Sequence, residues 1–106
     1  MVRLYPIQID EQTFTAVEVH LPKTTLLSIS NEVGYVMCGA LDVELLRTRL
    51  AAREIVAARA VGVKTIEELL MGQVESCTQS AEALGIFPGM SIREALQRMS
   101  TVKSQA

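Results

Sequence analysis

The segment GYVMCGALDVELL, residues 34–46, combines a thiol, a glycine and a carboxylate in an order that could support chemistry. Its apolar run ends at Cys38, Gly39 follows, and Asp42 stands where a helix is predicted to begin. The first backbone N–H groups of a helix are unpaired, and they can lower the pKa of a nearby thiol from about 8.5 to roughly 3.5–7.5. Gly39 would let a ligand approach the backbone closely because it has no side chain. One interpretation is therefore a reactive or ligand-contacting Cys38.

The alternative is that Cys38 is a small apolar residue of the core, since unpaired cysteines are among the most buried residue types. A nucleophilic cysteine usually needs a base, and nothing in the sequence links His20, the single histidine, to Cys38. The second cysteine, Cys77, lies far along the chain and forms no C-x-x-C motif. Both interpretations stay open at this point, with Cys38 as the one candidate catalytic residue.

Arg59 is a second candidate because it interrupts the apolar stretch IVAARAVGV. A buried charge is costly unless it is paired, so one interpretation is an ion pair with a nearby carboxylate. The other is a site for a small anion, in which Arg59, Lys64 and the N–H groups after Thr65 bind a carboxylate or a phosphate. The candidate ion-pair partners are Asp42, Glu67 and Glu68. The candidate ligand-binding residues are Gly39, Asp42, Arg59, Lys64 and Thr65.

Composition argues against several other functions. One histidine and two distant cysteines are too few for a usual zinc site, so neither a metal nor a cofactor is predicted. The net charge of −2 and the pI near 5.4 argue against a general nucleic-acid-binding protein, which would carry a basic stripe. A local basic cluster alternates with glutamates, as expected of a solvated helix face, and no aromatic residues accompany it. This cluster consists of Arg47, Arg49, Arg53 and Arg59.

The first third of the chain is predicted to form an antiparallel β meander. TFTAVEVHL alternates with the period of two that is typical of a half-buried strand, with Phe14, Glu18 and His20 on the same side. In LYPIQI before it, Pro6 predicts an edge strand or a bulge, since proline has no N–H to donate to a neighbouring strand. TTLLSIS and YVMC are predicted to be the third and fourth strands.

The remainder is predicted to be mainly helical, with one strand near 55–61. Thr65 and Ser91 are predicted N-caps, because each is followed three residues later by a glutamate, in the pattern of a capping box. Ser76 has the same predicted role, and Asp42 is predicted to cap the first helix. This order predicts an α+β fold, in which an N-terminal antiparallel β meander is followed by a helix-strand-helix region that packs its helices on one sheet face.

The whole chain, residues 1–106, is predicted to be a single domain. Residues 1–38 are its mainly β, oligomerising part, residues 39–100 its mainly α part, and residues 101–106 a polar tail. Hydrophobic residues make up 49% of the chain and aromatic residues only 4%, so the excess is aliphatic. A small domain can bury only part of such an excess, which predicts a homo-oligomer that uses the uncovered face of the N-terminal sheet.

The expected location is the cytoplasm. The two cysteines suggest no disulfide framework, and the N-terminus MVRLYPIQID lacks the apolar core of a signal sequence. No apolar stretch approaches the length needed to cross a bilayer, so no membrane association is expected. The expected partner is another copy of the chain. No nucleic acid is expected, and a small anionic ligand is compatible with the sequence.

Three stretches, GYVMCGALD, ARAVGVKTIEELL and LGIFPGMSIREAL, occur in this order, and with FTAVEVHLPKT near the start they span essentially the whole chain. In these stretches the sequence resembles the YunC-like proteins of bacteria and archaea, the family called domain of unknown function 1805. The resemblance implies a tetramer formed through the N-terminal β region, and it implies no known biochemical activity. The family's signature positions correspond here to Gly34, Met37, Cys38, Gly39, Leu41, Asp42, Arg59, Gly62, Thr65, Gly89 and Glu94.

The leading interpretation is a small homo-oligomeric, tetrameric binding or structural module rather than an enzyme. The alternative is a thiol-dependent or small-anion-binding enzyme, with a site at Cys38, Gly39 and the Asp42 helix start that Arg59 completes. An enzyme site predicts that Cys38 and Arg59 line one open cavity. A structural module predicts that both are buried and that Arg59 is paired within the fold.

Overall fold

A computed structural model describes residues 1–39 and 43–100 of the chain. Six strands form one sheet whose spatial order follows the chain. The strands are β1 (Val2–Ile9), β2 (Gln12–Leu21), β3 (Thr24–Ser30), β4 (Gly34–Met37), β5 (Val56–Arg59) and β6 (Ser76–Cys77). The helices are α1 (Val43–Thr48), α2 (Ile66–Met71), α3 (Gln79–Ala83) and α4 (Ile92–Arg98), with a 3-10 turn at Ala51–Arg53. The predicted cap at Asp42 and the predicted tail at 101–106 lie outside the described residues.

Strand pairing confirms the α+β class and the N-terminal antiparallel meander. Strands β1 to β4 pair antiparallel in sequence order, whereas β4 and β5 are parallel and β6 returns antiparallel to β5. A parallel pair needs a crossover connection, and α1 lies in that connection. The short strand β6 was not predicted, because two residues are too few to show an alternating pattern.

The sheet has two faces, and the register assigns each side chain to one of them. Ala16 lies opposite Ile29, and Ile29 lies opposite Val36, so these three share the face that we call the inner face. Helices α2 and α4 cover the inner face and form the main core with it. The largest fully buried side chains of this core are Ile9, Phe14, Leu27, Ile29, Val36, Leu69, Ile86, Ile92, Leu96 and Met99.

Helix α1 differs from the prediction that the helices pack on one face. Its Val43 and Leu46 pack with Ala57, Tyr35 and Met37, which project from the opposite face, here called the outer face. The crossover between β4 and β5 therefore covers the outer face at one end of the sheet. The outer face of β1, β2 and β3 has no helix among the described residues.

Pro6 lies on the open edge of the sheet, as predicted. The backbone of Met1 exchanges hydrogen bonds with that of His20, which makes the odd-numbered residues of β1 the ones that bond to β2. Pro6 is even-numbered, so its backbone nitrogen faces away from β2. Because that nitrogen would form no bond to β2, the absence of an N–H there costs no hydrogen bond between the strands. The observed register of the first hairpin is therefore compatible with a proline at this position.

Two of the predicted helix starts are confirmed, and one was placed wrongly. Thr65 Oγ1 accepts a hydrogen bond from Glu68 N at 3.0 Å, and Ser91 Oγ accepts one from Glu94 N at 3.1 Å. The cap of α3, predicted at Ser76, is Thr78. Thr78 Oγ1 also donates to Ile55 O at 2.6 Å, and this contact with the chain before β5 leaves Ser76 to pair as a strand.

Candidate functional site

Cys38 lies in the core directly after β4. Its side chain is only 6% exposed, and its Sγ accepts a hydrogen bond from Leu27 N at 3.4 Å. Gly39 is exposed, with the nearest contact of an added Cβ being Val61 Cγ1 at 3.6 Å. The helix start at Asp42 that would activate the thiol lies outside the described residues. A reactive Cys38 therefore stays a prediction, and the burial of its sulfur is the observation that bears on it.

Arg59 forms an ion pair with Glu75, which the sequence did not single out, whereas Asp42, one of its predicted partners, lies outside the described residues. Arg59 Nη2 and Nε lie 2.7 and 2.9 Å from Glu75 Oε1. The cause is β6, because the pairing of β5 with β6 places Arg59 opposite Ser76, next to Glu75. The Ser76 hydroxyl and the Arg59 guanidinium, in that order, hold the pKa of Glu75 below its usual value.

The cavity beside Arg59 contains a second arginine and the second cysteine. Arg47 Nη1 donates to Cys77 O at 2.7 Å and lies 3.4 Å from Glu82 Oε2. Cys77 is buried, its Sγ lies 3.4 Å from Ile86 O, and burial raises the pKa of its thiol. Both arginines of this cavity thus pair with glutamates, and Cys38 does not line it. Among the described residues, the predicted combination of Cys38 and Arg59 in one cavity is not observed.

A polar cluster that sequence reasoning did not single out lies on the inner face of β1 and β2. We call Arg3, Tyr5, Glu18 and His20 the Glu18 cluster. Glu18 is only 8% exposed, and it accepts a hydrogen bond from the Tyr5 hydroxyl at 2.7 Å. His20 Nε2 lies 2.9 Å from the other carboxylate oxygen, and Arg3 Nη1 lies 3.7 Å from that same oxygen. The Arg3 guanidinium also lies over the Tyr5 ring, 5.4 Å from its centre.

These contacts favour a charged Glu18. The Tyr5 hydroxyl and then His20 hold the pKa of Glu18 below its usual value, and the same hydrogen bond raises the pKa of Tyr5. A carboxylate can only accept, so the hydrogen in the contact with His20 lies on Nε2. The cluster thus holds a carboxylate, an imidazole and a guanidinium in defined positions relative to one another.

The Glu18 cluster forms one wall of an open cavity of about 620 Å³, which we call the Glu18 groove. The opposite wall is α2 and the two residues before it. Two of the predicted ligand-binding residues, Lys64 and Thr65, therefore line the same groove, whereas Arg59 lines the other cavity. The complete lining is Arg3, Tyr5, Ile7, Glu18, His20, Lys64, Thr65, Ile66, Glu67 and Leu70.

The outer face of the N-terminal strands is a second surface of interest, because one end of it is apolar. Leu4 is 69% exposed there, and Val17 lies directly opposite it on β2. The apolar side chains of this face are Val2, Leu4, Val17, Val19, Leu21 and Leu26. An uncovered apolar surface of this kind is typical of a site of protein–protein contact.

Comparison with known proteins places the chain in a family. The family described as "Domain of unknown function (DUF1805)" matches residues 37–99. The uncharacterized protein YunC of Bacillus subtilis (strain 168) is 59% identical over 99 residues, which cover 93% of this chain and 98% of that protein. The chain belongs to the DUF1805 family. The predicted relationship to the YunC-like proteins is thereby confirmed.

A solved structure shows the same fold as this DUF1805 chain. It is the crystal structure of a protein of unknown function, TA1206, from Thermoplasma acidophilum. The two align with a TM-score of 0.85 at 29% sequence identity, over 94% of each chain. The similarity extends over both the sheet and the helices, and it leaves the activity open.

The described part of this DUF1805 structure contains neither a metal-binding cluster nor a membrane-spanning helix. Within residues 1–39 and 43–100, no three side chains of the His, Cys, Asp and Glu types lie close enough together to hold a metal ion. In that same part of the chain, no helix has the length and apolar character needed to span a bilayer.

The Glu18 cluster did leave a signal in the sequence. Glu18 and His20 share the alternating side of β2 with Phe14, and a charged residue on the apolar side of a strand is uncommon. The sequence could not show the donors, because Arg3 and Tyr5 reach Glu18 only through the register of β1 against β2.

Proposed function

We propose that this DUF1805 protein is a non-catalytic homo-oligomeric module, a tetramer as the family resemblance implies, which assembles through the outer face of β1, β2 and β3. The observation that carries the proposal is the uncovered apolar end of that face, where Leu4 on the edge strand β1 is 69% exposed. Soluble monomers rarely expose large contiguous apolar surfaces, because the hydration of such surfaces is unfavourable. A second copy of the same face would cover it.

The open edge of the sheet supports contact between faces rather than between edges. The even-numbered residues of β1 direct their backbone groups away from β2. They are Val2, Leu4, Pro6 and Gln8. Pro6 has no N–H, so a strand added along β1 would lack one of its hydrogen bonds there. We therefore assign the contact to the side chains of the outer face.

A cytoplasmic location is part of the same proposal. Cys38 and Cys77 are both free and both buried, so neither is paired in a disulfide. Free thiols are typical of proteins that work in a reducing compartment. No observation favours the thiol-dependent enzyme, and the proposed function does not include it.

Sedimentation velocity of the full chain and two variants tests the assembly. Leu4→Glu places a charge on the outer face, whereas Met71→Glu places the same charge on α2, where Met71 is 86% exposed. We expect the wild type and Met71→Glu to sediment at about four times the 11.6 kDa chain mass, and Leu4→Glu to shift to a smaller species. Circular dichroism checks that each variant is folded. A wild type that sediments as a single chain at every concentration would contradict the proposal, as would an unchanged Leu4→Glu.

A further inference from the structure

We propose that the Glu18 groove is a binding site for a small organic anion, a molecule with a carboxylate or phosphate group on a short apolar body. The groove opens on the inner side of the sheet, and the outer face proposed for assembly is its opposite side. The site therefore uses different residues and different contacts from those of the oligomer.

Glu18 places a buried carboxylate at a position of β2 where an apolar side chain would pack. Glu18 follows Phe14 and Ala16 on the inner side of β2, and both of those are fully buried core residues. Burying a charge costs free energy unless hydrogen bonds compensate for it, and an apolar residue usually serves stability equally well. Glu18 has the compensating donors, which indicates a role in orienting the side chains around it.

The contacts of Glu18 determine which groups of the groove remain available to a ligand. One oxygen of Glu18 accepts from Tyr5 and the other faces His20 and Arg3, so Glu18 itself offers little to a bound molecule. Arg3 is only loosely held at 3.7 Å, and its side chain is 58% exposed.

The groups that can reach a ligand are therefore mainly cationic or donating. They are the Arg3 guanidinium and the Lys64 ammonium, with the imidazole of His20 beside Glu18. Glu67 is the remaining carboxylate of the described lining. Guanidinium and ammonium groups around a partly enclosed cavity are the usual partners of carboxylates and phosphates.

Part of the lining of the Glu18 groove is apolar. Ile7 projects from β1, and Ile66 and Leu70 project from α2, so the groove has an apolar floor beside its polar end. A volume of about 620 Å³ falls within the roughly 300–1,000 Å³ typical of small-molecule sites, which are largely apolar with a few polar groups. A bare inorganic ion would leave this floor uncovered, which favours an anion with an organic body.

The test is a titration of the full assembled chain with phenyl phosphate. Binding is measured from the shifts of the backbone and histidine NMR signals. Inorganic phosphate and benzyl alcohol serve as the anion alone and the apolar body alone. The variants are Arg3→Gln and Lys64→Gln, both at exposed positions, so that the fold is retained. Arg93→Gln on α4 removes an equal charge from an exposed position outside the groove and is the matched control.

We expect saturable shifts for residues of β1, β2 and α2 with phenyl phosphate, weaker binding of inorganic phosphate, and none of benzyl alcohol. Arg3→Gln and Lys64→Gln should each weaken binding roughly tenfold or more, the loss expected for one charge-assisted contact. Arg93→Gln should leave binding unchanged. Three results would overturn the proposal: no saturable shifts in the groove, equal binding of benzyl alcohol, or an equal loss in Arg93→Gln. None of these results depends on the number of chains in the oligomer.

Discussion

At the scale of single residues, Glu18 is the most informative side chain of the molecule. Three donors from β1 and β2 surround its carboxylate, two of them at hydrogen-bond distance. In the part of the chain that the structure describes, every buried side-chain nitrogen and oxygen has a hydrogen-bond partner, and Glu18 follows that rule although it carries a charge. A charge held in this way makes stability depend on pH.

The variant Glu18→Gln is expected to reduce the pH dependence of stability. The pKa of Glu18 in the folded chain lies below its usual value of 4.5, chiefly because of the Tyr5 hydroxyl and His20. A carboxylate with a lowered folded pKa stabilises the fold above its unfolded pKa, and this contribution is lost as the pH falls through the folded pKa. The wild type should therefore lose more of its free energy of unfolding than Glu18→Gln between about pH 6 and pH 3.

Urea unfolding at several pH values measures this difference. Glu75 also has a lowered pKa, but it is present in both proteins and cancels in the comparison. A difference between wild type and Glu18→Gln that stays constant over this pH range would show that the Glu18 charge contributes nothing to stability.

Cys38 is expected to resist alkylation in the folded chain. Its sulfur is buried and faces the backbone N–H of Leu27, so a reagent cannot reach it without opening of the core. The measurement is the rate of iodoacetamide labelling over a range of pH in Cys77→Ser, with the denatured protein as the reference. Rapid labelling of the folded protein with a midpoint well below the ordinary thiol pKa of about 8.5 would instead support the reactive Cys38 of the sequence interpretation.

At the scale of elements, Gly34 determines how closely β4 approaches β5. A Cβ added at Gly34 would meet the carbonyl oxygen of Val56 and would lie 2.8 Å from Val56 Cβ. These two residues are opposite each other in the one parallel pair of the described sheet. The close contact explains why a glycine is needed at the start of β4 without any appeal to function.

We expect Gly34→Ala to lower the free energy of unfolding by about 1–3 kcal/mol, because the added methyl group can fit only if the two strands separate. Gly39→Ala is the matched control, since the nearest described atom to its Cβ would be Val61 Cγ1 at an ordinary 3.6 Å. That variant should stay within about 0.5 kcal/mol of the wild type. Equal stabilities of the two variants in denaturant unfolding would show that the parallel pair tolerates a wider spacing.

Helix starts illustrate how elements depend on their neighbours. The α2 and α4 starts are local, because the hydroxyl of Thr65 or Ser91 reaches an N–H only three residues away. The start of α3 also depends on distant chain, since Thr78 contacts both Ile55 O and Ala57 N. A capping pattern alone could not distinguish Thr78 from Ser76.

At the scale of the whole molecule, the sheet has one face for its core and one face that is only partly covered. Helices α2 and α4 cover the inner face, and α1 covers the outer face only near β4 and β5. The apolar outer face of β1, β2 and β3 is left over, and we propose that another copy of the chain covers it.

If assembly buries that face, thermal stability should depend on protein concentration. Association stabilises the folded state by mass action, so the melting temperature of the wild type should rise with concentration. Leu4→Glu should melt at one temperature over the same range, and Met71→Glu should behave as the wild type does. Differential scanning calorimetry over a hundredfold concentration range, on the order of 1 to 100 µM, provides the measurement. A wild-type melting temperature independent of concentration would argue that the folded chain is stable without a partner.

Local sequence was sufficient for the features that depend on neighbouring residues. The alternation of TFTAVEVHL predicted the two sides of β2, Pro6 predicted an edge strand, and Thr65 and Ser91 predicted two helix starts. Each of these follows from periodicity, from a missing N–H or from a hydroxyl within one helical turn. The α+β class follows from the order of such elements.

Contacts between distant parts of the chain required the folded structure. Arg59 pairs with Glu75 because β6 returns beside β5, and Glu18 meets Tyr5 because the first hairpin has one particular register. Helix α1 lies on the outer face because a parallel strand pair needs a crossover. A shift of one residue in any of these pairings would turn every side chain of the strand to the other face, so the partners of a charge can be known only after the strands are paired.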